Sequence, residues 1–224
     1  MKMEELNIKK YDILSRIFKY PHPALLTDLK LAENIVREFH PELLEYLETF
    51  TECVSSSTLS QMEEIYTRTF DVQAITTLDT GYVLFGDDYK RGALLANLNK
   101  EHLAVENNCG TELADHLPNL LKLLPRMKDN LIRLELVKKI ILPALNKIIS
   151  DFASERIRQR NISYKKHYKT LLESSRDYAL IYRFPLQLIL KILGFDFGLM
   201  PGDELKQEKS FTKEIINELE INEK

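Results

Sequence analysis

The residues best equipped for chemistry fall into two short stretches. ELADHLPNLLKLL, residues 112–124, carries Glu112, Asp115 and His116, and YTRTFD, residues 66–71, carries Tyr66, Phe70 and Asp71. Read as one helix, the first stretch puts Glu112 and His116 four residues apart, with Asp115 beside them: up to three metal ligands. The same groups can trade protons, cap a helix, or fence a surface that holds something basic. Metal has little support. No HExxH occurs, and His22, His40, His102 and His167 stand in no ligand spacing. Nor does the chain present a GxSxG, a phosphate-cradling glycine loop, or a cysteine or serine beside a histidine, so nothing argues for an enzyme or a bound cofactor. A groove remains. Glu112 at a helix N-terminus is explained by capping, but capping does not require Asp71, Asp87, Asp88, Asp115 and His116 as well. Carboxylates around an apolar channel suit a ligand with one basic end and one apolar helical stretch, which is the design of a targeting leader.

The elements that must hold these groups read as helices. Leucines 113, 117, 120, 121 and 124 form one apolar stripe. Ile8 to Phe18 is a helix stopped by YPHP, Leu25 to Phe39 a second ended before Pro41, and Leu43 to Phe50 a third closed by the polar SSST. Thr58 with Gln61 three residues on forms a capping box for a helix through Phe70. GYVLFG (81–86) resembles a strand, but a lone strand has nothing to pair with, so residues 71–86 read as a short helix plus loop. The helical period returns from Asp87 through Val105, and NNCG supplies its left-handed stop. A long helix follows, with Leu131, Leu134, Ile141, Leu145, Ile148 and Phe152 on one side and a kink at Pro143. RIRQRNISYKKHYKTLLE and ALIYRFPLQLILKIL supply the last helices.

The chain is 224 residues long, 44% apolar and 29% charged, with seven Gly, eight Pro and no Trp. That is enough for one full-sized core and too few turn formers for an all-β fold. The expectation is one all-α domain over residues 1–200, with a polar, frayed tail over 201–224. Cys53 and Cys109 form no CxxC pair. Together with the absence of a secretory leader or a membrane-length apolar run, this points to the cytoplasm. Acidic residues outnumber basic ones from 51 to 115, and the balance reverses from 116 to 169. The formal net charge of −3 gives no overall push toward nucleic acid. Still, the basic segment 156–169, with interleaved tyrosines, keeps a helical nucleic-acid-binding regulator as the alternative, testable by its salt dependence.

YTRTFD (66–71), TTL (76–78), GDDYKRGALLANL (86–98) and ELADHLPNLLKLL (112–124) follow one another in the order and spacing of the NarJ/TorD family of redox-enzyme maturation chaperones. The chain resembles the nitrate-reductase branch of that family most closely, over roughly residues 8 to 173. LPALNKIISDF and SYKKHYKTLLE are similar to the family's kinked helix and its successor. Ala114 replaces the branch's usual proline, and Phe85 stands where a His-Gly pair is common. The resemblance implies an all-helical bundle without catalytic activity of its own. It would bind the N-terminal leader, twin-arginine or remnant, of the catalytic subunit of a molybdopterin-guanine-dinucleotide enzyme. It would hold the apo-enzyme for molybdenum cofactor insertion, as a monomer or homodimer, without inserting in the membrane. Carried onto this sequence, the client-binding residues would be Tyr66, Phe70, Asp71, Arg91, Gly92, Glu112, Asp115, His116 and Pro118. Tyr66 and Phe70 would line the groove, and Asp71 and Asp115 would meet basic side chains of the leader. His116 would orient one of them or titrate near neutrality. Gly92 would allow close helix approach, and Arg91 would pair with Glu112 or Asp115.

Overall fold

A computed structural model of the chain describes residues 7–152 and 180–199. The 156–169 segment and the 201–224 tail lie outside the described residues. Those described form an all-α bundle without a strand. In chain order the helices are α1 (Ile8–Ser15), α2 (Leu25–Phe39), α3 (Leu44–Ser56), α4 (Leu59–Phe70), α5 (Thr80–Phe85), α6 (Tyr89–Ala104), α7 (Leu117–Leu123), α8 (Asn130–Leu136), α9 (Leu142–Asp151) and α10 (Arg183–Asp196). α1 packs on α2 and α7; α3 lies between α2 and α10; α10 continues onto α9, and α9 carries α5. The faces that meet are the apolar stripes of the sequence, among them Tyr11, Leu14, Leu29, Val36, Leu47, Phe50, Leu120, Leu121, Leu145, Ile148, Leu186 and Leu193, all fully buried. Each such side chain contributes about 1.5–3 kcal/mol over its exposed state, which offsets the entropy of ordering the chain.

Local signals set several boundaries where the sequence puts them. α2 spans Leu25–Phe39. At the start of α4 both halves of the capping box are made: the Gln61 amide N–H donates to Thr58 Oγ1 at 3.3 Å, and the Thr58 N–H donates to Gln61 Oε1 at 2.8 Å. GYVLFG forms the short α5 and the end of its loop, and Lys147 of α9 donates to the Val83 carbonyl at 2.6 Å, satisfying an end that α5 leaves open.

Other boundaries depart from expectation. α3 runs six residues past Phe50, because Ser55 and Ser56 turn their hydroxyls back onto the carbonyls of Glu52 and Cys53 and so tolerate the helix. α6 stops at Ala104, ahead of NNCG, and Glu106 takes the left-handed conformation after it, at φ 55°. The expected long helix is interrupted between α8 and α9 by a π turn at Val137–Ile141, just before Pro143. Pro143 has no N–H to give and its ring crowds the preceding turn; the wider turn accommodates both. The turn adds a residue between successive inward positions, so the buried side chains leading into it are Arg133 and Leu136, with Val137 buried at its start, while Leu131 is 75% exposed. Among the described residues no helix is long and apolar enough to cross a membrane.

Candidate client-binding cleft

The segment before α7 is the largest departure from the sequence reading. Glu112, Asp115 and His116 do not lie on a helix. α7 starts at Leu117, with Pro118 in its first turn and His116 at the position before it, its side chain making no capping hydrogen bond. Residues 107–116 instead form a loop held by side chains from the flanking helices. Asn119 of α7, 3% exposed, donates to the carbonyls of Cys109 (3.2 Å) and Leu113 (3.0 Å). Asn107 donates from its amide to His102 Nδ1 (2.9 Å) and the Asn119 carbonyl (3.2 Å). His102 Nε2 lies 3.0 Å from the Ala114 carbonyl, and burial holds the imidazole below its ordinary pKa. A neutral ring that accepts at Nδ1 and donates from Nε2 satisfies both contacts. Capping therefore does not explain Glu112, which stands exposed on this loop.

The loop is joined to the start of α5 by one antiparallel bridge between Asp79 and His116. The Leu117 N–H donates to the Leu78 carbonyl (2.9 Å); the Thr80 N–H and hydroxyl donate to the Asp115 carbonyl (3.0 and 2.9 Å). Across this bridge runs a chain of charges. His116 Nδ1 is 2.9 Å from Asp79 Oδ1, Arg91 Nη2 donates to Asp79 Oδ2 at 3.0 Å, and Arg91 Nε donates to Asp115 Oδ2 at 3.0 Å. Burial opposes the charge on Asp79, but hydrogen bonding and charge from His116 and Arg91 outweigh it and hold the carboxyl below its ordinary pKa. On Arg91 burial likewise opposes the charge, and Asp115 and Asp79 more than compensate, raising the guanidinium above its ordinary value.

In front of this chain lies a cleft with two connected lobes that share Tyr20, Tyr66, Glu112 and His116. The smaller, about 150 Å³, is completed by Phe70, Asp71, Thr77, Leu78 and Asp79. The larger, about 440 Å³, extends along Lys19, residues 108–111, Pro118, Asn119 and Lys122. Its back wall is aromatic. Tyr66 packs edge-on against Tyr20 (5.4 Å between ring centroids), Phe70 (5.0 Å) and Tyr182 (5.8 Å), and its hydroxyl donates to the Phe18 carbonyl at 3.2 Å. Tyr66 and Phe70, each 6% exposed, are thus core and cleft wall at once. Asp71 and Glu112 stand exposed at the rim, and neither carboxylate has a hydrogen-bond or ion-pair partner among the described residues. Partial burial, then the charge of Glu112, raise the Asp71 pKa above its ordinary value. Asp71 also ends α4, where the helix dipole disfavours an anion.

Six of the nine sequence candidates therefore meet at one cleft: Tyr66, Phe70, Asp71, Glu112, His116 and Pro118. The other three do different work. Asp115 is fully buried and cannot meet a ligand; it is the inner end of the charge chain. Arg91 pairs with Asp115, as one of its two expected partners, and with Asp79, behind the cleft wall. Gly92 is exposed, with nothing within 4 Å of where a Cβ would stand, so it mediates no close approach. Gly81 does: a Cβ there would lie 2.6 Å from Asp115 Oδ2 and 3.0 Å from Leu94 Cδ2. Asp79, Tyr20 and Asn119 were not singled out in the sequence. Only Asp79 carried a signal, an acid just before a short helix. Asp87 and Asp88 lie away from the cleft lining, and Asp88 caps α6 by accepting from the Lys90 N–H at 2.9 Å. Among the described residues no group of three or more His, Cys, Asp or Glu is placed to hold a metal ion. No protein-family model matches the chain, and no curated protein matches it.

Proposed function

We propose that this protein is a client-specific chaperone of the NarJ/TorD type, which binds the basic N-terminal leader of a molybdenum oxidoreductase's catalytic subunit, nitrate-reductase-like, in the cytoplasm. The observation that carries the reading is the pair of carboxylates, Asp71 and Glu112, without a partner among the described residues, at the rim of a cleft walled by Tyr20, Tyr66 and Phe70. Two like charges at one rim gain most from a cation placed between them, and an Arg or Lys of a leader supplies one. The aromatic wall then offers the apolar part of the same segment a surface, and a guanidinium a ring face. Binding there would hold the apo-enzyme while its molybdenum cofactor is inserted, with no catalysis by the chaperone. The segment that would serve the nucleic-acid alternative, 156–169, lies outside the described residues.

The test is an assembly experiment. A molybdenum oxidoreductase from the same cell is produced with the wild-type protein, without it, and with an Asp71→Lys/Glu112→Lys variant, and its cofactor content is measured. The reading expects cofactor loading to fall with the variant about as far as without the protein, and to fall equally when the client's leader is deleted. Full loading in all cases would contradict it.

A further inference from the structure

The two lobes of the cleft differ in charge. Asp71 and Asp79 line only the smaller lobe, Glu112 lines both, and Lys19 and Lys122 line only the larger. Lys19 is exposed and has no hydrogen-bond or ion-pair partner among the described residues. Lys122 lies in the last turn of α7, and among the described residues its ammonium donates only to a neutral group, the Asn108 carbonyl at 3.2 Å. Burial, then the charge of Lys19, hold its ammonium below its ordinary pKa. The carboxylate whose charge reaches Lys122, Asp12, is already engaged by Arg126 through two bonds of 2.7 Å. The lysine pair is therefore the counterpart, in the opposite sign, of the carboxylate pair. Between them, lining both lobes, is His116. It is only 9% exposed, its Nδ1 is committed to Asp79, and its Nε2 makes no hydrogen bond among the described residues.

Building on the proposed leader-binding role, we infer that the cleft selects a dipolar peptide: a basic side chain between Asp71 and Glu112, and along the same segment an acidic side chain between Lys19 and Lys122, with a polar group over His116 Nε2. A wholly basic segment would carry its second charge against the lysines, and a wholly acidic one against the carboxylates. Opposed like-charge pairs thus reject both and fix the direction in which the segment lies. The recognised feature is the order of charges along the leader, beyond its net charge.

Titration calorimetry on the full chain tests this with one arginine-containing apolar peptide carrying either Glu or Gln, the substituted position moved residue by residue along it. At the matching position the Glu peptide should bind wild type about fivefold more tightly than the Gln peptide, an advantage that shrinks as salt is raised. Lys19→Glu/Lys122→Glu should abolish that advantage and favour a Lys peptide at the same position. Lys19→Gln, which breaks no hydrogen bond, should reduce it without disturbing the fold. Arginine-dependent binding with no difference between Glu and Gln at any position would overturn the dipolar inference and leave the leader-binding reading standing. Absence of binding by every peptide would overturn both.

Discussion

Single side chains in this protein divide into those that hold the cleft and those left free to use it. Asp71 is of the second kind, and its freedom costs stability. Its folded-state pKa lies above the unfolded value of about 3.9, so the folded state binds the proton more tightly. The penalty is absent below the unfolded value, develops as pH rises through the folded one, and is complete at neutrality. Asp71→Asn should therefore raise the melting temperature at pH 7, and the gain should vanish near pH 3. Arg91 is of the first kind. With Asp115 fully buried beside it, Arg91→Ala leaves a carboxylate without its counter-charge, an expected loss of about 3–5 kcal/mol in denaturant unfolding, part of which Arg91→Ala/Asp115→Asn should recover.

Between elements, the decisive contact is the crossing of α5 with the loop before α7, where Gly81 meets Asp115. The carboxylate oxygen there is pinned by Arg91, so a methyl at Gly81 cannot simply push it aside. Gly81→Ala should destabilise by about 1–3 kcal/mol. Gly92→Ala, in the open interior of α6, should stabilise by about 0.5–1 kcal/mol. The paired measurement separates the glycine that packs from the one that does not. The contrast also marks what a single sequence can convey. The Thr58–Gln61 box and the bounds of α2 were legible because their determinants are neighbours in the chain. Glu112 to His116 misled because the leucine stripe continues through them at helical spacing, whereas Pro118 and the Asn119 bonds set the true start of α7. Asp79 was missed because its meaning depends on His116, 37 positions away. Tyr66, Phe70, Asp71 and Glu112 were legible in the sequence; that Asp115 does not face the cleft was not, since its burial follows from the crossing of α5.

At the scale of the molecule, a second buried charge cluster ties the beginning of the described fold to its end. Lys10 Nζ of α1 donates to both oxygens of Asp196 at the end of α10 (2.8 and 2.6 Å), the Tyr11 hydroxyl donates to the same carboxylate (2.6 Å), and His40 Nε2 stands 3.4 Å away. Burial opposes the Asp196 charge, but its bonds to His40, Lys10 and Tyr11 prevail and lower its pKa. Its stabilisation is thus present above the unfolded carboxyl value and is lost as pH falls through the lower folded one. Asp196→Asn, which leaves Lys10 buried without its counter-charge, should cost about 3–5 kcal/mol at pH 7, and the difference from wild type should close as pH drops below about 4. The cluster lies away from the cleft lining, so the loss should leave peptide affinity of the folded protein unchanged.

At the centre of the proposed role, the carboxylate rim of an aromatic cleft acts as a receptor for a cationic polypeptide segment. A charge exchange measures that directly. Calorimetric titration would compare wild type and Asp71→Lys/Glu112→Lys with a leader peptide carrying arginine and with the same peptide carrying glutamate in its place. Wild type should prefer arginine by about tenfold or more, the variant should prefer glutamate, and both preferences should weaken with salt. Equal affinities for the two peptides in both proteins would contradict the account.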